Sequence, residues 1–276
     1  MVKHIKSFRI YYISLGIILA SFLNFQYNFF KVVSDERFNY FQVESEQFVL
    51  DGYLNHTIND GPLKLGQFSR PSIDMFNDGE KYKPREWYIN EFIEGDFWEY
   101  KSHFGLQMYI YKLFNGRMIL VQLLASLVLS IVIGFIFFYL LNTFSLQFSL
   151  IFILTLIFNP WITPIARNSY FLVFIYFIPF LISLIFARKI NKSTKSLSVM
   201  LIVFYIIFLF KSLIGYDYLS TIVLTSMIPI VYYSLKNNLR KLILLKHLSL
   251  IVFVSILSFS TAVLVHANSL DNKKIL

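Results

Sequence analysis

The stretch MILVQLLASLVLSIVIGFIFFYLLNTFSLQFSLIFILTLIFNPWITPIA, residues 118–166, contains no charged side chain over 49 consecutive positions. About 20 apolar residues of helix are enough to cross the roughly 30 Å hydrocarbon core of a bilayer. This run is therefore too long for one crossing and suits two, with a hinge at the polar patch LNTFSLQ, residues 141–147. The stretch predicts a membrane protein with adjacent spanning helices.

Other apolar runs extend this pattern. The first, residues 10–30, is longer than a signal-peptide core and has no small-residue cleavage site after it, so it predicts a retained anchor. The run 196–210 is short for a membrane span. Lys211 is therefore expected to extend its end, with the charged group of the side chain reaching the membrane interface. Together they predict an all-α membrane protein with about seven transmembrane helices. The remaining runs are residues 168–187, 218–235 and 248–265.

The charges are distributed unevenly along the chain. The net charge is +9, yet 14 of the 16 acidic residues lie between positions 33 and 116. Basic residues concentrate at the N-terminus and in the segments ARKINKSTK and KNNLRK, residues 187–195 and 236–241. Seven crossings place all three basic segments on one side, which the positive-inside rule assigns to the cytoplasm. The acid-rich segment 33–116 is then expected on the opposite, extracytoplasmic side of the membrane.

These observations give the expected layout. The acid-rich loop is too long for a connector. FQVESEQFVLDGYL, residues 41–54, predicts an amphipathic helix in the interface plane, with its acids opposite or flanking the apolar face. Residues 86–93 and 104–114 look like shorter amphipathic pieces. The parts are a cytoplasmic N-terminus 1–9, a first transmembrane helix 10–30, a large extracytoplasmic loop 31–117, a six-helix transmembrane region 118–267 and an extracytoplasmic tail 268–276.

Composition argues against several classes of protein. There are no cysteines, so thiolate metal sites and thiol nucleophiles are absent. The basic residues punctuate apolar runs instead of clustering on a soluble face, so we expect no nucleic-acid partner. The sequence carries no phosphate-binding glycine loop, nucleophile elbow or zinc-protease motif. The expected partner is the lipid bilayer and molecules dissolved in it.

The adjacent acids Asp35 and Glu36 follow the first apolar run by a few residues. One interpretation is a pair of solvated charges at a helix end. The other is a site in which a carboxylate acts as a general base, or in which the pair holds a divalent cation with Glu36 as the metal ligand. No cofactor other than that cation is suggested.

Two basic residues lie on the outer side, against the charge bias. Arg167 and Lys211 are either interfacial flanks or ligands for a lipid phosphate. Asp217, in KSLIGYDYLS, is either part of a polar turn or a partner of these cations or of a sugar hydroxyl. His103 and Gln107 precede the second span, where a histidine is more often structural than functional. All five are candidate substrate-binding residues.

The layout and several motifs resemble the multi-span glycosyltransferases of the GT-C type. The acidic motif SDER opens the first outer loop, as in that superfamily. The motifs VESEQFVL, YKSHFGLQ, IARNSYF and GYDYLSTI are similar to those of a bacterial branch linked to surface polysaccharides. Members usually continue past the seven-span module, whereas this sequence stops soon after it, so we expect a minimal or truncated member.

The resemblance implies a function. Such enzymes move a sugar from a polyprenyl-phosphate donor to a glycan or lipid acceptor on the outer side of the membrane, and the first-loop acid is implicated in catalysis. This carries over to Asp35 first and Glu36 second. The resemblance also implies that the protein lies in the bacterial cytoplasmic membrane, with its active face extracytoplasmic. The alternative is a non-enzymatic polytopic protein, either a carrier or flippase component for lipid-linked glycans or an inactive fragment. Ion-coupled transport is disfavoured because the predicted spans are essentially uncharged.

Overall fold

A computed structural model describes residues 2–59, 61–68, 96–190 and 193–271. The structure is 74% helical, and the described residues contain almost no strand, which confirms the all-α class. One expected amphipathic piece, EWYINEFI, lies outside the described residues. The described helices are α1 (Val2–Tyr27), α2 (Asp35–Ile58), α3 (Gln107–Leu113), α4 (Met118–Leu141), α5 (Leu146–Ile157), α6 (Ile162–Ile165), α7 (Phe174–Phe186), α8 (Thr194–Ile214), α9 (Leu219–Lys236) and α10 (Lys241–Asp271).

Within the described ranges, five helices are long and apolar enough to cross a membrane. Helices α5 and α7 are apolar but shorter, with 12 and 13 residues. These lengths and compositions support a multi-pass membrane protein, while the count of seven spans stays a prediction. The five long segments are Ile10–Tyr27, Met118–Leu141, Thr194–Ile214, Leu219–Lys236 and Lys241–Leu270.

The long uncharged run divides where the polar patch predicts. Helix α4 ends at Leu141, and Ser145 caps α5 by accepting a hydrogen bond from the Phe148 backbone N–H at 3.2 Å. A serine at the N-cap satisfies a backbone donor that the helix itself leaves unpaired. The predicted hinge between two helices is therefore confirmed.

The chain between α5 and α7 leaves regular helix, and asparagine side chains satisfy its backbone. Asn159 Oδ1 accepts from the N–H groups of Trp161 and Ile162 at 2.8 and 3.0 Å. Asn24 of α1 donates to the Ile157 carbonyl at 2.7 Å. Irregular backbone at membrane depth is stable only when such groups are paired inside the protein. These amides therefore permit the break that separates α5 from α7.

The connecting segments gather at two ends of the helix bundle. One end, here called the loop end, holds α2, α3, α6 and a short antiparallel pair of strands, β1 (Gly66–Phe68) and β2 (Phe97–Glu99). It also holds the turn after α8, because the Leu213 carbonyl accepts hydrogen bonds from Gly105 and Leu106, both at 3.0 Å. The strand pair was not expected from the sequence.

The opposite end, here called the basic end, carries the basic segments. The turn after α4, the end of α7 and the end of α9 meet there through one tyrosine. The Tyr233 hydroxyl accepts from Arg188 Nε at 2.8 Å and bonds the Thr143 hydroxyl at 2.8 Å. Because α1 finishes at the loop end, its first residues also lie at the basic end. The described parts of the three basic segments are thus on one end of the bundle, as the charge pattern predicts.

Helix α2 lies on the loop end with two of its acids facing inward. Glu46 and Asp51 are both fully buried. Glu46 accepts from the Gln122 side chain at 2.8 Å and from the Ser169 backbone N–H at 2.7 Å. Asp51 accepts from the backbone N–H of Phe68 in β1 at 3.2 Å. The sequence pattern places these acids opposite or flanking the apolar face, whereas in the structure both are buried and each one anchors α2 to another element.

Candidate functional site

A large apolar cavity runs along the bundle from the loop end to the basic end. Its volume is about 1000 Å³, and its walls come mainly from α4, α5, α7 and α9. At the loop end it is bordered by Phe41, Trp161 and Tyr218, and at the basic end by Phe144 and Tyr232. The cavity therefore extends over most of the height of the helix bundle.

The chemistry of this cavity is uniform. None of the described residues that line it carries a formal charge, and its few polar groups are hydroxyls such as those of Ser45, Thr221 and Thr225. Ile228, on its α9 wall, is 57% exposed, so the cavity is open at the side of the bundle. Apolar pockets with few polar groups bind apolar ligands by removing their surface from water. This cavity suits a long hydrocarbon chain.

A cation lies at the loop-end mouth of the cavity. The Arg37 guanidinium carbon is 4.9 Å from the ring centre of Trp161 and 6.0 Å from that of Phe41, two residues that border the mouth. Such cation–π contacts hold an exposed guanidinium in place while leaving it in water. Sequence reasoning missed Arg37, although it belongs to the motif SDER; its signal was a cation directly after the acid pair.

The acid pair begins α2. Ser34 caps this helix by accepting from the Arg37 backbone N–H at 3.2 Å, and Asp35 and Glu36 occupy the first turn. Acids in the first turn are favoured there by the helix dipole, which gives the pair a structural explanation. Lys31 binds Asp35 at 2.6 Å, and its hydrogen bond holds the pKa of that carboxyl below the usual value. Glu36 is exposed.

The segment before α7 crosses the start of α2 and is hydrogen-bonded to it through Arg167, Asn168 and Ser169. Arg167 donates to the Asn39 side chain at 3.0 Å and to the Gln26 carbonyl at 3.1 Å, and its guanidinium lies 4.1 Å from the Phe38 ring centre. The Asn168 amide donates to the Phe41 carbonyl and to Ser45, and the Ser169 N–H to Glu46. These contacts give Arg167 a positioning role for α2 at the cavity mouth.

Lys211 is buried at the end of α8. Its side chain is only 1% exposed, although the sequence suggested an interfacial flank. The ammonium donates to the Gly215 carbonyl at 2.6 Å and lies 5.1 Å from the ring centre of Tyr176, which lines the cavity. Asp217, which is exposed, acts electrostatically on Lys211. A buried cation is stable only with such partners.

His103 lies beside the same turn, 6% exposed. Its Nδ1 bonds the Ser102 hydroxyl at 2.8 Å, and its buried Nε2 has no partner within the described part of the chain. Burial lowers its pKa to about 4, and the charges of Lys211 and His266 add to this while Asp217 opposes it. His103 is therefore a neutral imidazole at neutral pH.

Gln107 is the first residue of α3. It follows Leu106, whose backbone N–H donates to the Leu213 carbonyl. It is 1% exposed, and neither its amide nitrogen nor its amide oxygen has a hydrogen-bond partner among the described residues. Buried amides are usually paired, so an unpaired one calls for a specific explanation. Gln107 stays a candidate for binding a polar group.

The sequence candidates thus divide into two groups. The structure brings His103, Lys211 and Asp217 together around the Gly215 turn. Asp35 and Glu36 lie at the start of α2, where the described contacts of Asp35 are to Lys31 and Asn28. In the described ranges, no group of three or more His, Asp or Glu side chains is placed to hold a metal ion. The cation site at Glu36 stays a prediction.

Comparisons of the chain with known protein families, with curated proteins and with solved structures find no match. The features of the protein that bear on its function are therefore the cavity, the residues at its loop end and the motifs of the sequence.

Proposed function

We propose that the protein binds an anionic lipid with a long hydrocarbon chain, and that it is a GT-C type glycosyltransferase that uses a polyprenyl-phosphate-linked sugar. The observation that carries the proposal is the apolar cavity of about 1000 Å³, open at the side of the bundle. A polyprenyl chain can enter it from the bilayer without crossing water. Arg37 at the mouth supplies the positive charge that a lipid phosphate requires.

In this proposal the basic end faces the cytoplasm and the loop end faces outward. The orientation follows from the positive-inside rule applied to the basic segments. The headgroup of the lipid would then lie outside the cytoplasm, beside α2 and the turn after α8. The acceptor is a glycan or lipid of the cell surface, as the sequence resemblance implies.

The proposed reaction is a single displacement. An acceptor hydroxyl oxygen forms a bond to the anomeric carbon of the donor, and the bond from that carbon to the phosphate oxygen breaks. The lipid phosphate leaves with the electron pair, and the hydroxyl proton passes to the Asp35 carboxylate. Because Lys31 holds the pKa of Asp35 low, this carboxylate is ionised at neutral pH and is a weak base. Attack opposite the leaving group inverts the anomeric carbon.

A second candidate function is a lipid carrier without bond chemistry. The observation that favours it is that neither Asp35 nor Glu36 is among the residues lining the cavity. A carrier would need only the cavity and its mouth. It would bind the same lipid as the glycosyltransferase and form no covalent product.

The test uses two neighbouring residues of α9. Thr225 lines the cavity, whereas Leu224 is 64% exposed and does not line it. Thr225→Trp should fill the cavity and lower the affinity for undecaprenyl phosphate in nanodiscs by at least about 10-fold, while Leu224→Trp should leave it unchanged. Equal binding by both variants would refute the cavity as the lipid site. Sugar transfer from the glycosylated lipid by the unmodified protein separates the enzyme from the carrier.

A further inference from the structure

The basic end of the cavity carries cations on its aromatic lining. Tyr232 and Tyr233 of α9 both line the cavity there, with ring centres 5.2 Å apart. The Arg188 guanidinium carbon lies 5.1 Å from the ring centre of Tyr233, and Lys236 Nζ lies 5.6 Å from that of Tyr232. Both cations are exposed. Because the loop end shows the same kind of contact, cations lie on the aromatic lining at both ends of the cavity.

Arg188 is held in position by three hydrogen bonds. Its Nε donates to the Tyr233 hydroxyl at 2.8 Å, and its Nη2 donates to the Thr143 hydroxyl at 3.0 Å and to the Asn142 carbonyl at 3.3 Å. Within the described part of the chain Nη1 has no hydrogen-bond partner, so two N–H donors of a fixed guanidinium are free for another acceptor. A side chain that is already fixed loses less entropy when it binds a ligand.

The charge at this end has no acidic partner in the segments that form it. The described residues 136–148, 184–190, 193–198 and 230–248 contain no aspartate or glutamate. Between residues 100 and 270 the sequence has one acid, Asp217, which lies at the loop end. The planar guanidinium of an arginine matches a phosphate group in shape and can donate two parallel hydrogen bonds to it. The ligand that suits Arg188 is therefore a phosphate.

The cavity favours a lipid phosphate over a phosphate in solution. Phe148, in the first turn of α5, lines the cavity and is 46% exposed, so the opening at the side of the bundle reaches the basic end. A hydrocarbon chain can enter there from the adjacent leaflet while the phosphate attached to it stays at the interface. Inorganic phosphate would gain nothing from the cavity, because it has no apolar surface to bury.

We propose that the basic end of the cavity is a second lipid-phosphate site, in which Arg188 binds the phosphate and the cavity takes the hydrocarbon chain. Lys236 adds positive charge at the same end. The proposed function uses the same cavity but places the headgroup at the loop end, whereas the second site takes a lipid from the opposite leaflet. Because the cavity is continuous, chains that enter from its two ends compete for the same space.

The test locates the lipid phosphate by phosphorus NMR in phosphatidylcholine nanodiscs. Because the sequence lacks cysteine, Asn237→Cys, at an exposed position of the basic end, can carry a single nitroxide. The probe is undecaprenyl phosphate, whose monoester signal is separate from the diester signal of phosphatidylcholine. The diester signal is the internal reference. A phosphate held at Arg188 should be broadened by the nitroxide more than the reference is.

Three variants of the labelled protein test the role of the cations. Arg188→Gln should lower the affinity at this end by about 10-fold and so remove the excess broadening. Lys236→Gln, which leaves the hydrogen bonds of Arg188 intact, should reduce it. The matched control is Lys189→Gln, which removes the neighbouring exposed cation and should leave the broadening unchanged. Equal effects of all three variants, or no excess broadening before any of these changes, would overturn the inference.

The role of the cavity is tested in the same way. Thr225→Trp should also remove the excess broadening, because it fills the space that takes the chain. If the broadening persists in Thr225→Trp, surface charge alone holds the lipid and the inference is wrong. It is also wrong if inorganic phosphate, added without the lipid, is broadened to the same extent, because the site would then bind a free anion.

A second label separates this inference from the proposed function. A nitroxide at Glu36→Cys gives the matching measurement at the loop end, where Glu36 is exposed. If only this label broadens the monoester signal in excess of the reference, the lipid site of the proposed function stands and the second site does not exist. If only the Asn237→Cys label does so, in a way that depends on Arg188, the second site stands and the loop-end site fails.

Discussion

The Glu46 carboxylate and the Gln122 side-chain amide are joined by a 2.8 Å hydrogen bond that links α2 to the first turns of α4. Both residues are buried, and Glu46 also receives the Ser169 backbone N–H. Helix α2, which carries the acid pair and Arg37, is therefore held in place by the buried carboxylate of Glu46, which lies away from the cavity mouth. The geometry of the mouth depends on this buried contact.

We expect Glu46→Leu to lower the free energy of unfolding by roughly 2–3 kcal/mol, because it leaves the Gln122 amide and the Ser169 N–H buried without an acceptor. Glu46→Gln should cost no more than about 1 kcal/mol, because the Gln122 amide can rotate to present its oxygen to the new amide. Chemical denaturation in detergent measures both. Equal losses in the two variants would mean that the carboxylate charge, and not acceptor geometry, stabilises the contact.

The pKa of His103 predicts a dependence of stability on pH. Its folded value of about 4 lies below the usual 6.5, so the unfolded chain binds more protons between these values, and stability falls as pH decreases from about 6.5 to about 4. At 1.36 kcal/mol per pKa unit the full effect is roughly 3 kcal/mol. His103→Gln should remove it. The measurement is thermal unfolding of the unmodified protein and of His103→Gln at pH 7.5 and at pH 5. An equal loss of stability between these pH values in the two proteins would contradict the prediction.

The two carboxylates of the SDER motif should differ in their effect on catalysis. Asp35→Asn should lower the rate of sugar transfer by about 10²–10⁴-fold, the usual contribution of a general base. Glu36→Gln removes the same charge from the neighbouring exposed position and should retain most of the rate. The measurement is transfer from a lipid-linked donor at saturating concentration. Parental activity of Asp35→Asn would show that another group takes the proton.

Arg37 should contribute to lipid binding through its charge. Arg37→Gln is expected to weaken undecaprenyl phosphate binding by about 10-fold, and the loss should shrink at high salt because an exposed charge is screened. Arg117→Gln is the matched control, since Arg117 is an exposed arginine at the same end whose described contacts, to Phe114 and Leu120, are not with residues that line the cavity. If both variants lose affinity equally, the effect is general surface potential and not the cavity mouth.

The absence of cysteine in the sequence allows a direct test of orientation. Single replacements Glu36→Cys at the loop end and Asn237→Cys at the basic end both fall on exposed residues. A membrane-impermeant maleimide added to intact spheroplasts should label the first and not the second. The opposite labelling pattern would place the basic end outside and would remove the extracytoplasmic site.

The membrane helices could be predicted from the sequence because length and apolarity alone define them. The hinge between α4 and α5 was predictable as well, since a serine cap is a local signal. The amide contacts that satisfy the turn between α5 and α7 were not, because they include Asn24, which lies 133 residues before its partner Ile157. A hydropathy profile contains no information on such distant pairs.

The site was predicted only in part, because some of its contacts also join residues that are far apart in the sequence. His103, Lys211 and Asp217 stood out by type and position, and they do meet at one turn. Arg37 did not stand out, because its position at the cavity mouth depends on its contact with Trp161, which lies 124 positions later in the sequence. Burial of Glu46 was equally unreadable, since a helical acid that bonds inward has the same local sequence as one that faces water.

The shortness of α5 and α7 has a consequence for the surrounding membrane. At 1.5 Å per residue their 12 and 13 residues span about 18–20 Å, well below the roughly 30 Å of hydrocarbon in a typical bilayer. Both helices border the cavity. In the proposed seven-span arrangement both helices cross the membrane, and the resulting hydrophobic mismatch would be relieved by thinning the bilayer on that flank. A lipid headgroup would then have a shorter distance to cover to the cavity mouth. The protein itself would thus create a thinned region of bilayer through which the lipid enters the cavity.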